Sequence, residues 1–251
     1  MSETDLPASR LGTKEHWDNV YASELANFEE IGDEGEIWFG EDSVEKMVDW
    51  VLDSMPPSTE PPPSILEIGA GNGTLLFALH DAGYAPDRMY GVDYSADAVK
   101  LAQAIGRSRQ ERCEDGDPTE LKAGPAAITF AACDFLNDPV PFSPYTASTE
   151  SGTSAAWDLV LDKGTFDAMV LAQKDDDGRS HADTYPSRVA DIVKPGGYFL
   201  ITSCNFTEDE LKAKFTNDTG LSYHSRIPFP TFSFGGKSGN VYSSVAFQKP
   251  A

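Results

Sequence analysis

The sequence predicts a doubly wound α/β fold on a mostly parallel sheet, and three observations carry that expectation. Short apolar strand patterns alternate with helical ones along most of the chain. The first strand, ILEI, empties into a turn with glycines at alternate positions, GAGNG, and the next two strands each run into an aspartate. With 251 residues and 40% apolar content the chain can bury one sizeable core, and it has no repeat of solenoid or propeller period.

The elements follow in order. After a polar leader, TKEHWDNVYASELANFEE places Trp17, Val20, Tyr21, Leu25 and Phe28 on one helical face. The Gly-rich turn GDEGEIWFGED leads to a second helix, with Asp42 and Glu45 as a capping-box pair and Val44, Met47, Val48, Val51, Leu52 and Met55 as its stripe. Pro56 and Pro57 end it, and the stiff linker STEPPP delivers the chain to the sheet. Residues 1–63 therefore read as a helical extension packing on a core domain of residues 64–251. Strands are expected at Ile65 to Ile68, Met89 to Val92, Ile128 to Ala132, Leu159 to Asp162 and Tyr198 to Thr202. Between them lie a helix over TLLFALHDA stopped at Gly83, one capped by Ser95, and one opened by a Thr207 to Glu210 capping box. The alternation in NVYSSVAFQK predicts a terminal hairpin added at one sheet edge. RSRQERCEDGDPTELKAGP, SPYTASTESGTSA and QKDDDGRSHADT read as loops, the DDD run being a solvated face.

Composition excludes several classes. The 19 Lys and Arg stand against 41 Asp and Glu, a net charge of −22 that repels a phosphate backbone and attracts a basic partner, so nucleic acid is not expected as substrate. MSETDLPASRLG lacks a basic stretch followed by an apolar one, and no window approaches the roughly 20 apolar residues of a membrane span. A cytoplasmic protein, away from membranes, is expected. Cys113, Cys133 and Cys204 have no close pairing, and His16, His80, His181 and His224 have no ligand spacing, so neither disulfide nor metal is assigned.

The turn itself narrows the ligand. Its spacing is G-x-G-x-G, over Gly69, Gly71 and Gly73 with Asn72 among them, where dinucleotide enzymes usually show G-x-G-x-x-G. Glu67, two residues ahead, disfavours a pyrophosphate there and favours a ligand carrying an ammonium and a sulfonium, which is S-adenosylmethionine. Asp93 and Tyr94 in YGVDYS close the next strand, where an acid suits both hydroxyls of a ribose; NAD enzymes share this feature. Asp134 in ACDF is placed to accept from an adenine amino group while Phe135 or Cys133 covers the ring, or to act as a turn residue.

In order, ILEIGAGNG, GVDYS, ACDF and KPGGYF resemble the motifs of the class I S-adenosylmethionine-dependent methyltransferases over residues 64–248. More narrowly, HWDNVY, GEIWFGEDS, LVLDKGTFDAM and ITSCNFT resemble the eukaryotic lysine methyltransferases of translation elongation factor 1-alpha. The resemblance implies a Rossmann-like sheet of seven strands ending in an antiparallel one, and methylation of a lysine on that basic protein. A monomer is expected.

Methyl transfer to lysine is an in-line displacement by a neutral amine, helped by position and desolvation. Asp162, ending the fourth strand, is the candidate to orient that amine or accept its proton, or else it caps the helix starting at Thr165. DKGTF lacks the amide and paired prolines of N-P-P-Y enzymes, and Lys163 is expected to face solvent. Trp38 is a candidate lid over the donor and Phe39 a wall around the lysine stem, since an aromatic face attracts sulfonium and alkylammonium alike; anchoring of the N-terminal helices is the alternative. Phe166 and Phe206 read as packing. Asn205 is a candidate for the substrate backbone, or for capping at Thr207. Two other functions stay open on these residues: a small-molecule methyltransferase, and a non-catalytic nucleotide-binding scaffold.

Overall fold

Runs of Val, Ile and Leu too short for helices form the centre of the molecule, as suits strands covered on both faces. The computed structural model describes residues 6–114, 124–141, 156–229, 231–234 and 237–251. Five strands are parallel: β1 Ile65–Ile68, β2 Met89–Asp93, β3 Thr129–Ala132, β4 Trp157–Lys163 and β5 Val193–Ser203. With β6 Ser222–Ile227 and β9 Ser243–Gln248 they make a seven-stranded sheet ordered β3-β2-β1-β4-β5-β9-β6, in which β9 runs antiparallel to both neighbours. A separate two-stranded ribbon joins β7 Thr231–Phe234 to β8 Lys237–Asn240. The strand order reverses between β1 and β4, and such a reversal opens a crevice beyond the strands' carboxyl ends.

Alternation along β1 divides two apolar layers. Ile65, with Leu159, Leu161 and Leu200, packs under α1 Lys14–Ile31, α2 Gly40–Ser54, α3 Thr74–Asp81 and α4 Ala96–Glu114, through Trp17, Tyr21, Met47, Val51, Leu76 and Leu101. Leu66 and Ile68, with Val160 and Phe199, meet α6 Tyr185–Ile192 and α7 Glu208–Thr216 through Tyr185, Val189, Leu211 and Phe215. The short α5 Thr165–Val170 adds Phe166 to this second layer.

Several expectations change. The terminal strand β9 is not at an edge: it inserts between β5 and β6, and β6 is the edge. The pattern SYHSRI hid β6, because its outer position leaves five of six residues at least partly exposed. Helix α4 continues through Glu114, over RSRQERCE, which reads as loop by polarity alone; Arg109 and Arg112 there pair with Glu34 at 2.5 and 2.8 Å. Asp42 caps nothing, since α2 starts two residues earlier, behind Phe39 in the left-handed region at φ 67°. Asp42 instead adds charge to the helix's first turn. Ser95 precedes α4, yet its hydroxyl has no partner. The Thr207–Glu210 box forms as expected, with a second at Ser180–Asp183 opening a 3-10 turn. Residues 115–123, in the rest of that first predicted loop, and 142–155, which cover the second, lie outside the described residues.

Met47 is fully buried beneath α2. Met47→Ala should destabilise the whole protein by about 2–4 kcal/mol, through lost transfer energy plus a cavity. Urea unfolding followed by tryptophan fluorescence checks this: one transition at lower midpoint is expected, without separate melting of the N-terminal helices.

Candidate functional site

The crevice at the strand-order reversal is a cavity of about 370 Å³. Its floor is the turn Gly69 to Asn72 with the ends of β2, β3, β4 and β5; Leu11, Lys14, Trp17 and Tyr21 close one side, and Trp38 and Phe39 another.

The turn is held by protein on every side. Gly69 and Gly71 have φ of 66° and 55°, a region that excludes most side chains. A Cβ on Gly69 would lie 2.0 Å from Thr165 Oγ1, and one on Gly71 2.5 Å from the Tyr21 hydroxyl. These glycines thus admit neighbouring side chains as well as any ligand. Gly73 lies off the wall, against Phe77 and Phe130. Asp93 sets the turn's shape: Oδ2 accepts from Gly71 N at 3.0 Å and Oδ1 from Ser95 N at 2.9 Å. Burial raises its pKa to about 6, against the pull of those two amides. Each carboxylate oxygen keeps a second lone pair for the cavity, which Asp93 lines. Beside it, the half-buried ring of Tyr94 lines the wall and carries Lys14 Nζ 5.4 Å from its centroid.

Glu67 sits beneath the turn, buried, with Oε2 lacking a partner. Its register partner is Leu161, so Glu67 shares a sheet face with Lys163, two residues further on. Burial drives the carboxyl's pKa up and the ammonium's down, and each charge opposes the other's shift. The solvent-facing expectation for Lys163 fails: its Nζ turns inward and donates to the Trp38 carbonyl at 2.9 Å. Asn72 makes a similar tie. Its Nδ2 donates to Glu34 O at 2.9 Å while its Oδ1 accepts from Thr74 Oγ1 at 2.8 Å, which straps residues 34–36 over the turn.

Asp134 reaches the wall, but its oxygens accept from Leu136 N at 3.0 Å and Asn137 Nδ2 at 2.8 Å, a turn role it combines with its place in the cavity. Phe135, buried, meets Tyr185 edge-on at 5.1 Å. Trp38 meets Trp17 edge-on at 4.7 Å and leaves its buried Nε1 without a partner. Phe39 stacks on Tyr242 at 4.8 Å, packed so closely over Gly164 that a Cβ there would lie 2.8 Å from the ring. Both rings line the cavity while anchoring the N-terminal helices, so the two readings of them combine. Asn205 lines the far end; Thr207 caps α7 itself, and Asn205 has no part in that cap.

Asp162 needs correction as the amine-facing group. Ile68 is its register partner, so its side chain enters the opposite layer, where it is fully buried. Its oxygens accept from Thr165 N at 2.8 Å, Phe166 N at 3.0 Å and the Tyr185 hydroxyl, and it is not among the cavity's wall residues. The capping alternative is what the fold uses. Sequence reasoning also missed Tyr21, Lys163 and Asp167 on the wall. Tyr21 reads as part of an apolar stripe and Asp167 as an ordinary first-turn acid, and neither pattern signals a cavity.

Burial raises the Asp162 carboxyl to about 7 from an ordinary 3.8. The fold therefore favours its protonated form, and this contribution to stability is full below pH 3.8 and lost as pH rises through about 7. In melting-temperature scans Asp162→Asn should show a shallower fall between those limits than the wild type, starting from a lower maximum because one cap acceptor is gone.

Comparison with known proteins agrees with this geometry. A family model described as a methyltransferase domain matches residues 62–239. The chain is 41% identical to the protein-lysine N-methyltransferase efm4 of Schizosaccharomyces pombe, over 97% of this chain and 95% of that one. It is 36% identical to the human EEF1A lysine methyltransferase 2, over 98% and 90%. In fold it is similar to the N-methyltransferase NodS of Bradyrhizobium japonicum in complex with S-adenosyl-L-homocysteine, at TM-score 0.56 and 15% identity, covering 94% of this chain and 99% of that one. A family model over most of the chain and near full-length relatives above 30% identity lead to one conclusion: the chain belongs to the methyltransferase domain family, among the protein-lysine N-methyltransferases.

Proposed function

We propose that this protein is an S-adenosylmethionine-dependent protein-lysine N-methyltransferase whose substrate is translation elongation factor 1-alpha. The observation that carries this reading is near full-length similarity, at 41% and 36% identity, to enzymes named for lysine methylation, the human one for EEF1A. The cavity fits the donor. Asp93 offers free lone pairs to a ribose, Asp134 and Phe135 a polar edge and an apolar face to adenine, and Tyr94 an aromatic wall. Glu67 lies beneath the turn rather than on the cavity wall; burial raises its carboxyl to about 8 and so favours the neutral acid, whose unpartnered oxygen leaves a polar group under the methionine end.

When bound, the donor supplies a sulfonium methyl: the amine lone pair forms the new N–C bond and the C–S pair stays on sulfur. This chain's residues position and dehydrate the reactants. Trp38 and Phe39 exclude water and present aromatic faces to cations. Lys163 holds the Trp38 carbonyl and so keeps the rings in place. A lysine ammonium with a pKa near ~10.4 must shed a proton before it attacks, so the site has to favour the neutral amine. The enzyme works as a cytoplasmic monomer in this reading. No helix among the described residues is long and apolar enough to cross a membrane. The apolar faces of α1 and α2 share a core with the sheet, which supports reading the N-terminal helices as an extension packed on the catalytic domain.

Incubation with labelled donor should place methyl groups on lysine of purified elongation factor 1-alpha, read by mass spectrometry. Label confined to small metabolites would sink the protein-substrate reading. Asp93→Asn should weaken donor binding by about 1–3 kcal/mol in calorimetry, through loss of a charged acceptor. The net charge of −22 steers a basic partner. Raising salt should accordingly slow the second-order rate on the intact protein while leaving donor affinity nearly constant.

A further inference from the structure

We infer that Asp167, outside the predicted site, is the catalytic residue that receives the substrate lysine Nζ. This rests on the lysine-methyltransferase reading above. Along the sheet's carboxyl edge the cavity wall presents Asp134 after β3, Asp93 at β2, the Gly69 to Asn72 turn after β1, then Asp167 in α5 after β4 and Asn205 after β5. A donor with its adenine over β3 and its ribose at β2 brings its methionine end to β1. The acceptor must then enter over β4 and β5.

Among the described residues lining the cavity, the carboxylates are Glu36, Asp93, Asp134 and Asp167. Glu36 is exposed on the strap that Asn72 holds, and Asp93 and Asp134 belong to the donor end. Asp167 alone of these four stands at the acceptor end. It is 4% exposed, with Oδ1 accepting from Ser203 Oγ at 2.5 Å and Oδ2 from Cys204 N at 2.7 Å. Those bonds, with further ones from the Cys204 thiol and the Asn205 backbone, lock the carboxylate, and the thiol, a weak donor, is the one an arriving ammonium would displace. Such a fixed, dehydrated acceptor needs no reorganisation when a cation arrives. Lys163 cannot take this part, being a cation turned to Trp38 O, and Asp162 lies on the other sheet face.

The chemistry balances simply. The substrate ammonium gives one proton to the Asp167 carboxylate, which passes it to water at the cavity mouth. The neutral amine then keeps an N–H bonded to Asp167, and this aims its lone pair along the line of attack. Burial holds the Asp167 carboxyl above the usual carboxylate range, which makes it the better base. Asp162 below it and Cys204 beside it are the titratable groups that feel its charge, and Lys163 and His181 share the wall.

Asp167→Asn tests this, since the amide oxygen can still accept from Cys204 N. Melting temperature should stay close to that of the wild type and calorimetric affinity for S-adenosylmethionine within about twofold, while kcat/KM on elongation factor 1-alpha falls about 100-fold, the low end for a lost acid–base group. The acid limb of the kcat/KM profile should lose one proton of order, and Asp167→Glu should restore part of the rate. Independently of turnover, affinity of the S-adenosylhomocysteine complex for elongation factor 1-alpha should fall severalfold. Wild-type kcat/KM in Asp167→Asn, or a loss that only parallels lost stability and donor binding, would overturn the assignment. Absence of lysine methylation by the wild-type enzyme would instead overturn the reading beneath it.

Discussion

A carboxylate buried at the carboxyl end of a strand, or in the first turn of the helix that follows it, must be met by N–H or O–H donors, and this constraint shapes the whole working edge of the sheet. Asp93 gathers Gly71 N and Ser95 N, and so ties the turn after β1 to the turn after β2. Asp162 gathers Thr165 N, Phe166 N and the Tyr185 hydroxyl, which joins the start of α5 to α6. Asp167 gathers Ser203 Oγ and Cys204 N, which joins α5 to the end of β5. Three acids thereby fix where the turns stand, and the cavity is the space those turns leave.

The N-terminal helices complete that space rather than decorate it. Tyr21 reaches the turn so closely that its hydroxyl occupies the room a side chain on Gly71 would need. The strap between α1 and α2 is held by Asn72 from the turn, by Lys163 from β4, and by Arg109 and Arg112 through Glu34. Displacement of the strap would break bonds to three separate elements. A rigid lid of this kind suits a reaction that depends on exclusion of water and on alignment.

The electrostatics follow from the same packing. A lysine on the wall of a site meant for cations would be unfavourable alone, but Glu67 lies on its face and both are drawn from water. The pair holds the strap through Lys163 while Glu67 keeps an oxygen uncommitted beneath the turn.

From residues alone, alternation and apolar runs determined the doubly wound sheet, the five parallel strands, the face of α1 and the stripe of α2, because period and burial follow local pattern. The glycine turn after β1 was legible for the same reason, since positive φ at Gly69 and Gly71 demands glycine, and Asp93 stands at the strand end where the sequence places it. Tertiary structure decided the rest. Whether Asp162 or Asp167 meets the cavity depends on which sheet face β4 presents and on where α5 begins, and both acids look alike in DKGTFDAM. The placement of β9 inside β6 was equally hidden, since strand order is set by long-range pairing that no local window contains. The inward turn of Lys163 needed a carbonyl 125 residues away in sequence, at Trp38, and only folding brings the two together.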